Sequence, residues 1–138
     1  MNKDLRSFIG EARQLGSAFY ANVSRPVDPI FEPCVIQQKL AAEGRYPVIR
    51  CEKVNGSEYP LVTNIFGNYD LLGLALGVDP LEPKSAILQR FIQGEANPIP
   101  TKTVQRADAP VKQRIFINED VDLSKLPIIH HAENDSGK

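Results

Sequence analysis

Apolar residues recur along the chain with two periods, one typical of helices and one typical of strands. A first group lies at helical spacing: Leu5, Phe8, Ile9, Ala12 and Leu15. Gly16 follows this group at the position where a helix commonly ends. The pattern predicts an amphipathic helix over about residues 3–15, with Asp4 in its first turn.

The next segment predicts a strand followed by a second helix. Residues 17–24, SAFYANVS, alternate between two unequal faces, and we expect Pro26 to end this strand. Asp28 and Pro29 are typical of a helix start, because aspartate caps free N–H groups and proline fits the first helical position. The second helix is therefore predicted to begin at Pro29 and to end near Gly44.

Two further apolar segments, 47–54 and 59–66, predict a hairpin because Asn55-Gly56 lies between them. This dipeptide favours a type I′ turn, in which both residues adopt positive φ. The second segment ends in Asn64-Ile65-Phe66-Gly67. Here the glycine would let the strand turn sharply into a helix, Asn64 would bond backbone across the turn, and Phe66 would anchor in the core.

Two more helices follow the hairpin. A leucine-rich segment between Asn68 and Gly77 predicts a buried third helix, and residues 84–96 predict an amphipathic fourth. Residues 98–110 carry three prolines and little periodicity, which indicates a linker, and residues 111–117, VKQRIFI, predict a strand. The fold class expected is α/β (α+β): a small mixed sheet with a central hairpin, packed by about four helices.

Composition limits the size and partners of the protein. The chain has 138 residues, of which 42% are hydrophobic, enough for one core. Its 16 basic and 17 acidic residues form no block, which argues against nucleic acid and anionic membranes as partners. The first residues lack an apolar signal region, and we expect a cytoplasmic protein.

Neither cysteine lies in a catalytic signature. Cys34 falls in the predicted second helix and Cys51 in a predicted strand, so both are interpreted as buried thiols in a reducing compartment. A nucleophilic cysteine would need a nearby base. The two histidines lie far away in sequence, which disfavours a catalytic pair.

Metal-ligand side chains occur together at His130, His131, Glu133 and Asp135. Adjacent residues of an extended segment point to opposite faces, so a solvated or interdomain polar segment is favoured over a metal site. A small metalloprotein remains a third possibility. Three acidic residues, Glu119, Asp120 and Asp122, are interpreted as a solvated segment with Asx-type bonding.

Several stretches in the right order resemble the UbiD-type decarboxylases. They are DLRSFI at the start, VDP before the second helix, V-x-G-x-x-x-P-L-V-T-N-x-F-G in the hairpin, and L-A-L-G-V at the end of the third helix. APVKQRIFINEDVDLSKLPIIHH and D-S-G-K near residue 138 are similar to the family's approach to its flavin-binding domain. Together the stretches cover most of the chain.

The resemblance implies reversible, non-oxidative decarboxylation of an aromatic, heteroaromatic or α,β-unsaturated carboxylic acid. It implies prenylated flavin mononucleotide (prFMN) as cofactor, with Mn²⁺ and K⁺ at its phosphate. A flavin prenyltransferase would supply the cofactor, and the full-length enzyme would be a homo-oligomer. The family's catalytic and metal-binding residues lie beyond the D-S-G-K stretch, so no catalytic, cofactor-binding or metal residue is assigned in this chain.

The resemblance divides the chain into an N-terminal α/β domain, residues 1–97, and a linker with the start of the flavin-binding domain, residues 98–138. We expect a truncated enzyme that is inactive alone and binds no cofactor. The alternative is a stand-alone binding or assembly subunit that accompanies a catalytic chain.

Overall fold

The computed structural model describes residues 4–135. Its helices of more than one turn and all its strands lie within residues 5–96. The elements are α1 (Leu5–Gln14), β1 (Tyr20–Val27), α2 (Glu32–Ala42), β2 (Val48–Val54), β3 (Leu61–Thr63), α3 (Tyr69–Leu76) and α4 (Lys84–Ala96). Short 3-10 turns follow α4. Residue 3 of the predicted first helix, and the last three residues of D-S-G-K, lie outside the described residues.

The first helix is confirmed, and its start is fixed by a reciprocal cap. The backbone N–H of Ser7 donates to Oδ1 of Asp4 at 2.7 Å, and the N–H of Asp4 donates to Oγ of Ser7 at 3.0 Å. Free N–H groups at the helix start are thereby satisfied. Phe8 and Ala12 face inward and are buried.

The sheet is mixed, in the order β1-β2-β3. Strand β1 runs parallel to β2, with Tyr20 opposite Val48, and α2 forms the crossover between them. Strand β3 runs antiparallel to β2, with Cys51 opposite Leu61. The predicted mixed sheet with a hairpin, packed by four α-helices, is therefore confirmed.

The prediction that Pro26 ends the first strand is wrong. Strand β1 continues to Val27, and its register with β2 shifts between Val23 and Pro26. Because β1 lies at the edge of the sheet, a proline without an N–H removes no hydrogen bond to a second neighbour. The irregular register accommodates the residue.

The predicted start of the second helix is also wrong. Oδ1 of Asp28 accepts from the N–H of Ile30 at 2.9 Å and so closes a local turn instead of capping a helix. The helix begins at Glu32, after Phe31 in the left-handed region at φ 63°, and Pro33 occupies its first turn. The proline that suits the helix start is thus Pro33.

The hairpin is confirmed, but its turn is not type I′. The N–H of Ser57 donates to the carbonyl of Val54 at 3.1 Å across Asn55-Gly56. Only Gly56 has positive φ, at 78°, whereas type I′ requires positive φ at both central residues. Gly56 is therefore the only one of the two central residues with positive φ.

The third and fourth helices follow the predicted bounds. Asn68 caps α3 by accepting from the N–H of Leu71 at 2.8 Å, and Gly77 ends it at φ 76°. Helix α4 packs on α3 but buries none of its own residues. Its outer apolar side chains, Leu88, Phe91 and Ile92, are 61%, 52% and 55% exposed.

The predicted strand at VKQRIFI is wrong within the described residues. Residues 110–112 form a 3-10 turn, and Ile115, Phe116 and Ile117 are exposed. A strand requires a neighbour to accept its hydrogen bonds, and the described part of residues 98–135 supplies none for this segment. An apolar, β-branched composition alone was therefore insufficient to predict a strand here.

The core divides between the two faces of the sheet. One cluster joins α1 and α3 to β2 through Phe8, Ala12, Val48, Leu71 and Leu74. The other includes Val27, Ile49, Cys51, Val54 and Leu61, with α2 packed against it. Strand β2 therefore contributes Val48 to the first cluster and Ile49, Cys51 and Val54 to the second, and it lies in the middle of the sheet.

Replacing Gly67 by alanine should destabilise the fold strongly. A Cβ at Gly67 would lie 2.6 Å from the carbonyl oxygen of Tyr46 and against the amide of Asn64. We expect a loss of about 2 kcal/mol or more in the free energy of unfolding, measured by urea denaturation. Gly10→Ala is the matched control, because Gly10 lies in α1 with nothing within 4 Å of its Cβ position, and should be neutral or stabilising. Equal midpoints for the two variants would contradict the close approach.

Candidate functional site

The corner between β3 and α3 is held by an asparagine side chain. Nδ2 of Asn64 donates to the carbonyl of Pro47 at 2.8 Å, while the Asn64 backbone adopts φ 56°. The N–H of Gly67 donates to the carbonyl of Asn64 at 3.1 Å. Asn64 therefore bonds backbone as predicted, but its side chain reaches Pro47 before β2, and the bond across the turn is made by its backbone carbonyl.

Phe66 does not anchor in the core, contrary to the prediction. It is 62% exposed, although its ring lies 6.4 Å from that of Phe8. Ile65 packs against the core cluster instead, because successive residues at the strand end point to opposite sides. The sequence pattern identified Ile65 and Phe66 as an apolar pair, but the residue that faces the interior is Ile65 and not Phe66.

A surface hollow of about 430 Å³ lies beside this corner, at the start of α3. Aromatic side chains line it, and Nζ of Lys84 lies 4.8 Å from the ring centre of Tyr69. The hollow offers aromatic contact area and one cation. Among residues 4–135, no cysteine, serine, threonine or histidine lines it.

The segment around His130 returns to the main body and pairs with the loop before α2. The N–H of His130 donates to the carbonyl of Pro29 at 3.1 Å, and the N–H of Phe31 donates to the carbonyl of His130 at 3.0 Å. These bonds form a short parallel bridge between Ile30 and His130. Backbone pairing therefore fixes where His131 lies.

Asp135 closes a turn over the histidines. Its Oδ2 accepts from the N–H of His131 at 2.6 Å and from the N–H of Ala132 at 3.1 Å. These bonds, led by that from His131, lower the pKa of Asp135 because they stabilise its ionised form. Asp135 thus acts as a backbone cap for this turn.

The structure does not support the metal hypothesis. Residues 4–135 contain no group of three or more histidine, cysteine, aspartate or glutamate side chains placed to hold an ion. Asp135 is occupied by backbone N–H groups, and the imidazole of His131 faces Cys34. The sequence argument that His130 and His131 diverge is consistent with this arrangement.

His131 instead lies beside a thiol. Sγ of Cys34 is 3.3 Å from Nδ1 of His131, although 97 residues separate them in the sequence. The expectation that Cys34 has no nearby base is therefore wrong, and so is its full burial, because the residue is partly exposed. No local pattern could have revealed the contact, since it depends on the pairing of His130 with the loop at Pro29.

The other cysteine and the acidic segment follow the predictions. Cys51 is buried in β2, and burial raises the pKa of its thiol. Oδ1 of Asp122 accepts from Oγ of Ser124 at 2.6 Å and from its N–H at 3.0 Å, an Asx-type turn that lowers the pKa of Asp122. Glu119 and Asp120 are exposed.

Comparison with known proteins identifies the family. The model of the 3-octaprenyl-4-hydroxybenzoate carboxy-lyase N-terminal domain, UbiD_N, matches residues 20–91. This segment contains the whole sheet, α2, α3 and the corner at Asn64. The chain therefore belongs to the UbiD family, as the sequence motifs indicate.

Individual relatives match almost the whole chain. It is 31% identical to a phenolic acid decarboxylase of Sedimentibacter hydroxybenzoicus, over 98% of this chain and 28% of the relative. Among solved structures, the vanillic acid decarboxylase ShVdcCD of the same organism, in open form with truncated ShVdcD, gives a TM-score of 0.82 at 27% identity, covering 96% of this chain and 28% of that one.

A second solved relative is an evolved dimeric form of the UbiD-class enzyme HmfF from Pelotomaculum thermopropionicum, in complex with prFMN. It gives a TM-score of 0.76 at 29% identity, covering 95% of this chain and 28% of that one. The chain thus spans a little over a quarter of the length of these relatives. Separately, the helices within residues 4–135 include none with the length and apolar character needed to cross a membrane.

Acid should open the turn that Asp135 closes. The folded-state pKa of Asp135 is lowered. The stabilisation that its carboxylate gives the turn is therefore fully present above the ordinary aspartate pKa of about 3.9 and is lost as pH falls through the folded-state pKa. The amide resonance of His131, followed by NMR, should therefore shift with a midpoint below that of an unfolded aspartate.

Asp135→Ala is the control for this titration. In that variant the acidic transition of the His131 amide should vanish, because the accepting carboxylate is gone. An acidic transition that persists unchanged in Asp135→Ala would show that another group causes it.

Proposed function

We propose that this chain is the N-terminal part of a UbiD-like carboxy-lyase. The full protein would catalyse reversible, non-oxidative decarboxylation of an aromatic, heteroaromatic or α,β-unsaturated carboxylic acid with prFMN. The observation that carries this proposal is the match along nearly the whole chain to a phenolic acid decarboxylase and to a prFMN-bound UbiD-class enzyme. The two comparisons agree in sequence and in structure.

In this proposal the chain is a scaffold and contributes no catalytic residue. Residues 1–97 form the α/β domain, and residues 98–138 form the linker and the start of the flavin-binding domain. Large apolar side chains are exposed on α4 and at residues 115–117. They support this division, because uncovered apolar surface often marks the place where another part of a protein packs. We expect other parts of the enzyme to cover them.

The described residues do not fit the cofactor's metals. The full enzyme is expected to use prFMN with Mn²⁺ and K⁺, yet no three ligand side chains converge within residues 4–135. The sequence also lacks both glycine-rich phosphate loops, G-x-G-x-x-G and G-x-x-x-x-G-K-[ST]. Binding and chemistry are therefore assigned to residues of the longer protein, and the isolated chain is expected to be inactive.

A chimera tests the proposal directly. This chain would replace the aligned N-terminal segment of the Sedimentibacter hydroxybenzoicus phenolic acid decarboxylase, and loss of the phenolic acid would be followed by chromatography. We expect the chimera to retain prFMN and to decarboxylate its substrate, because the grafted domain has the same fold. The same chimera carrying Gly67→Ala should lose activity through instability and serves as the matched control.

The isolated 138-residue chain is assayed in parallel with added prFMN and with protocatechuate, gallate or a cinnamate-type acid. We expect neither turnover nor retention of the flavin on gel filtration. Turnover by the isolated chain would overturn the scaffold role. A chimera that folds but retains no prFMN would overturn the family-level function and favour a stand-alone assembly subunit.

A further inference from the structure

The contact between Cys34 and His131 has the geometry of a nucleophile beside a base. Sγ lies 3.3 Å from Nδ1, which is within the reach of a hydrogen bond that involves sulfur. Cys34 is partly exposed and His131 is exposed, so the contact between them lies at the surface. Both conditions for thiol reactivity, a base and access, are met.

The backbone of His131 is held in place independently of the thiol. Backbone bonds join His130 to Pro29 and Phe31 on one side, and the carboxylate of Asp135 binds the N–H of His131 on the other. The Cα of His131 is therefore fixed at a position from which its ring contacts Sγ. Such preorganisation lowers the entropic cost of proton transfer.

The charges around the thiol also suit an anionic sulfur. Cys34 is the third residue of α2, an 11-residue helix whose N-terminal N–H groups favour negative charge. The nearest acidic residue of that helix, Glu32, binds the N–H of Asp28 and pairs with Arg25. Its charge is thus largely compensated.

We propose that Cys34 and His131 form a peroxide-reactive thiol site, in which His131 takes the thiol proton and the thiolate attacks hydrogen peroxide or an alkyl hydroperoxide. A sulfur–oxygen bond forms as the oxygen–oxygen bond breaks, so the sulfur is oxidised to a sulfenic acid and the peroxide is reduced. The imidazolium returns its proton to the leaving hydroxide or alkoxide, which departs as water or an alcohol.

Cys51 provides an internal comparison. It lies in β2, buried within the core cluster on the α2 side of the sheet, and its thiol pKa is raised by burial. An apolar environment of this kind suppresses thiolate formation and blocks access. The two cysteines of one chain are thus expected to differ sharply in reactivity.

Oxidation of Cys34 would alter the attachment of residues 130–135. A new oxygen on Sγ would occupy the space that the 3.3 Å contact now spans, so the imidazole must move away. The turn capped by Asp135 would then lose one of its contacts with α2. Oxidation of Cys34 would therefore change the position of residues 130–135.

The test measures peroxide oxidation of the 138-residue chain in the presence of dimedone, which traps sulfenic acids, with peptide mass mapping at both cysteines. We expect rapid labelling of Cys34 and none of Cys51 in the folded protein. His131→Gln should slow the labelling of Cys34 by about tenfold or more, because proton transfer by a positioned base is lost. His130→Gln is the matched control and should leave the rate within about twofold, since the ring beside Sγ is that of His131 and the backbone bonds of residue 130 are kept.

Circular dichroism establishes that each variant is folded before its rate is compared. If His131→Gln does not fold, the wild-type comparison decides: Cys34 must react faster than both Cys51 and free glutathione. Labelling of Cys34 no faster than glutathione, or equal rates in folded His131→Gln and His130→Gln, would falsify the proposal.

Discussion

The close packing of Asn64 and Gly67 against the backbone of Tyr46 and Pro47 is the constraint on which the fold depends. The Asn64 amide joins the end of β3 to the residue before β2 through a 2.8 Å hydrogen bond, and Gly67 leaves no space for a Cβ beside Tyr46. Since an unpaired carbonyl in this partly buried corner would be costly, the side chain of Asn64 is difficult to replace. The corner directs the chain into α3, and α3 supplies Leu71 and Leu74 to the core.

The domain is well packed around the sheet and sparsely packed at α4. Strand β2 contributes residues to both core clusters, and α1, α2 and α3 cover them. Helix α4 and the segment after it add little burial and expose large apolar side chains. A scaffold that supports further parts of a UbiD-family enzyme accounts for this asymmetry, because packing partners for α4 would come from the rest of that enzyme.

Local patterns predicted the elements whose signals are local. Asn68 and Gly77 mark the ends of α3 by capping chemistry, and Asn55-Gly56 marks the hairpin, so these were predictable from sequence. Asp4 was predicted in the first turn of α1 and is its N-cap instead. Pro26 was misread because tolerance of proline depends on being at a sheet edge, which only the topology reveals. The strand predicted for VKQRIFI failed because pairing requires a neighbour, and the contact of Cys34 with His131 was missed because it spans 97 residues.

Native-state hydrogen exchange, read by mass spectrometry along the chain, tests the central claim most directly. If the chain is a scaffold with a well-packed sheet and an uncovered periphery, amides of β1, β2, β3 and α3 should exchange slowest. Amides of α4 and of residues 98–129 should exchange much faster, because few buried contacts hold them. Uniform protection from α1 through residue 135 would contradict the account, since it would describe a self-sufficient protein with no missing partner.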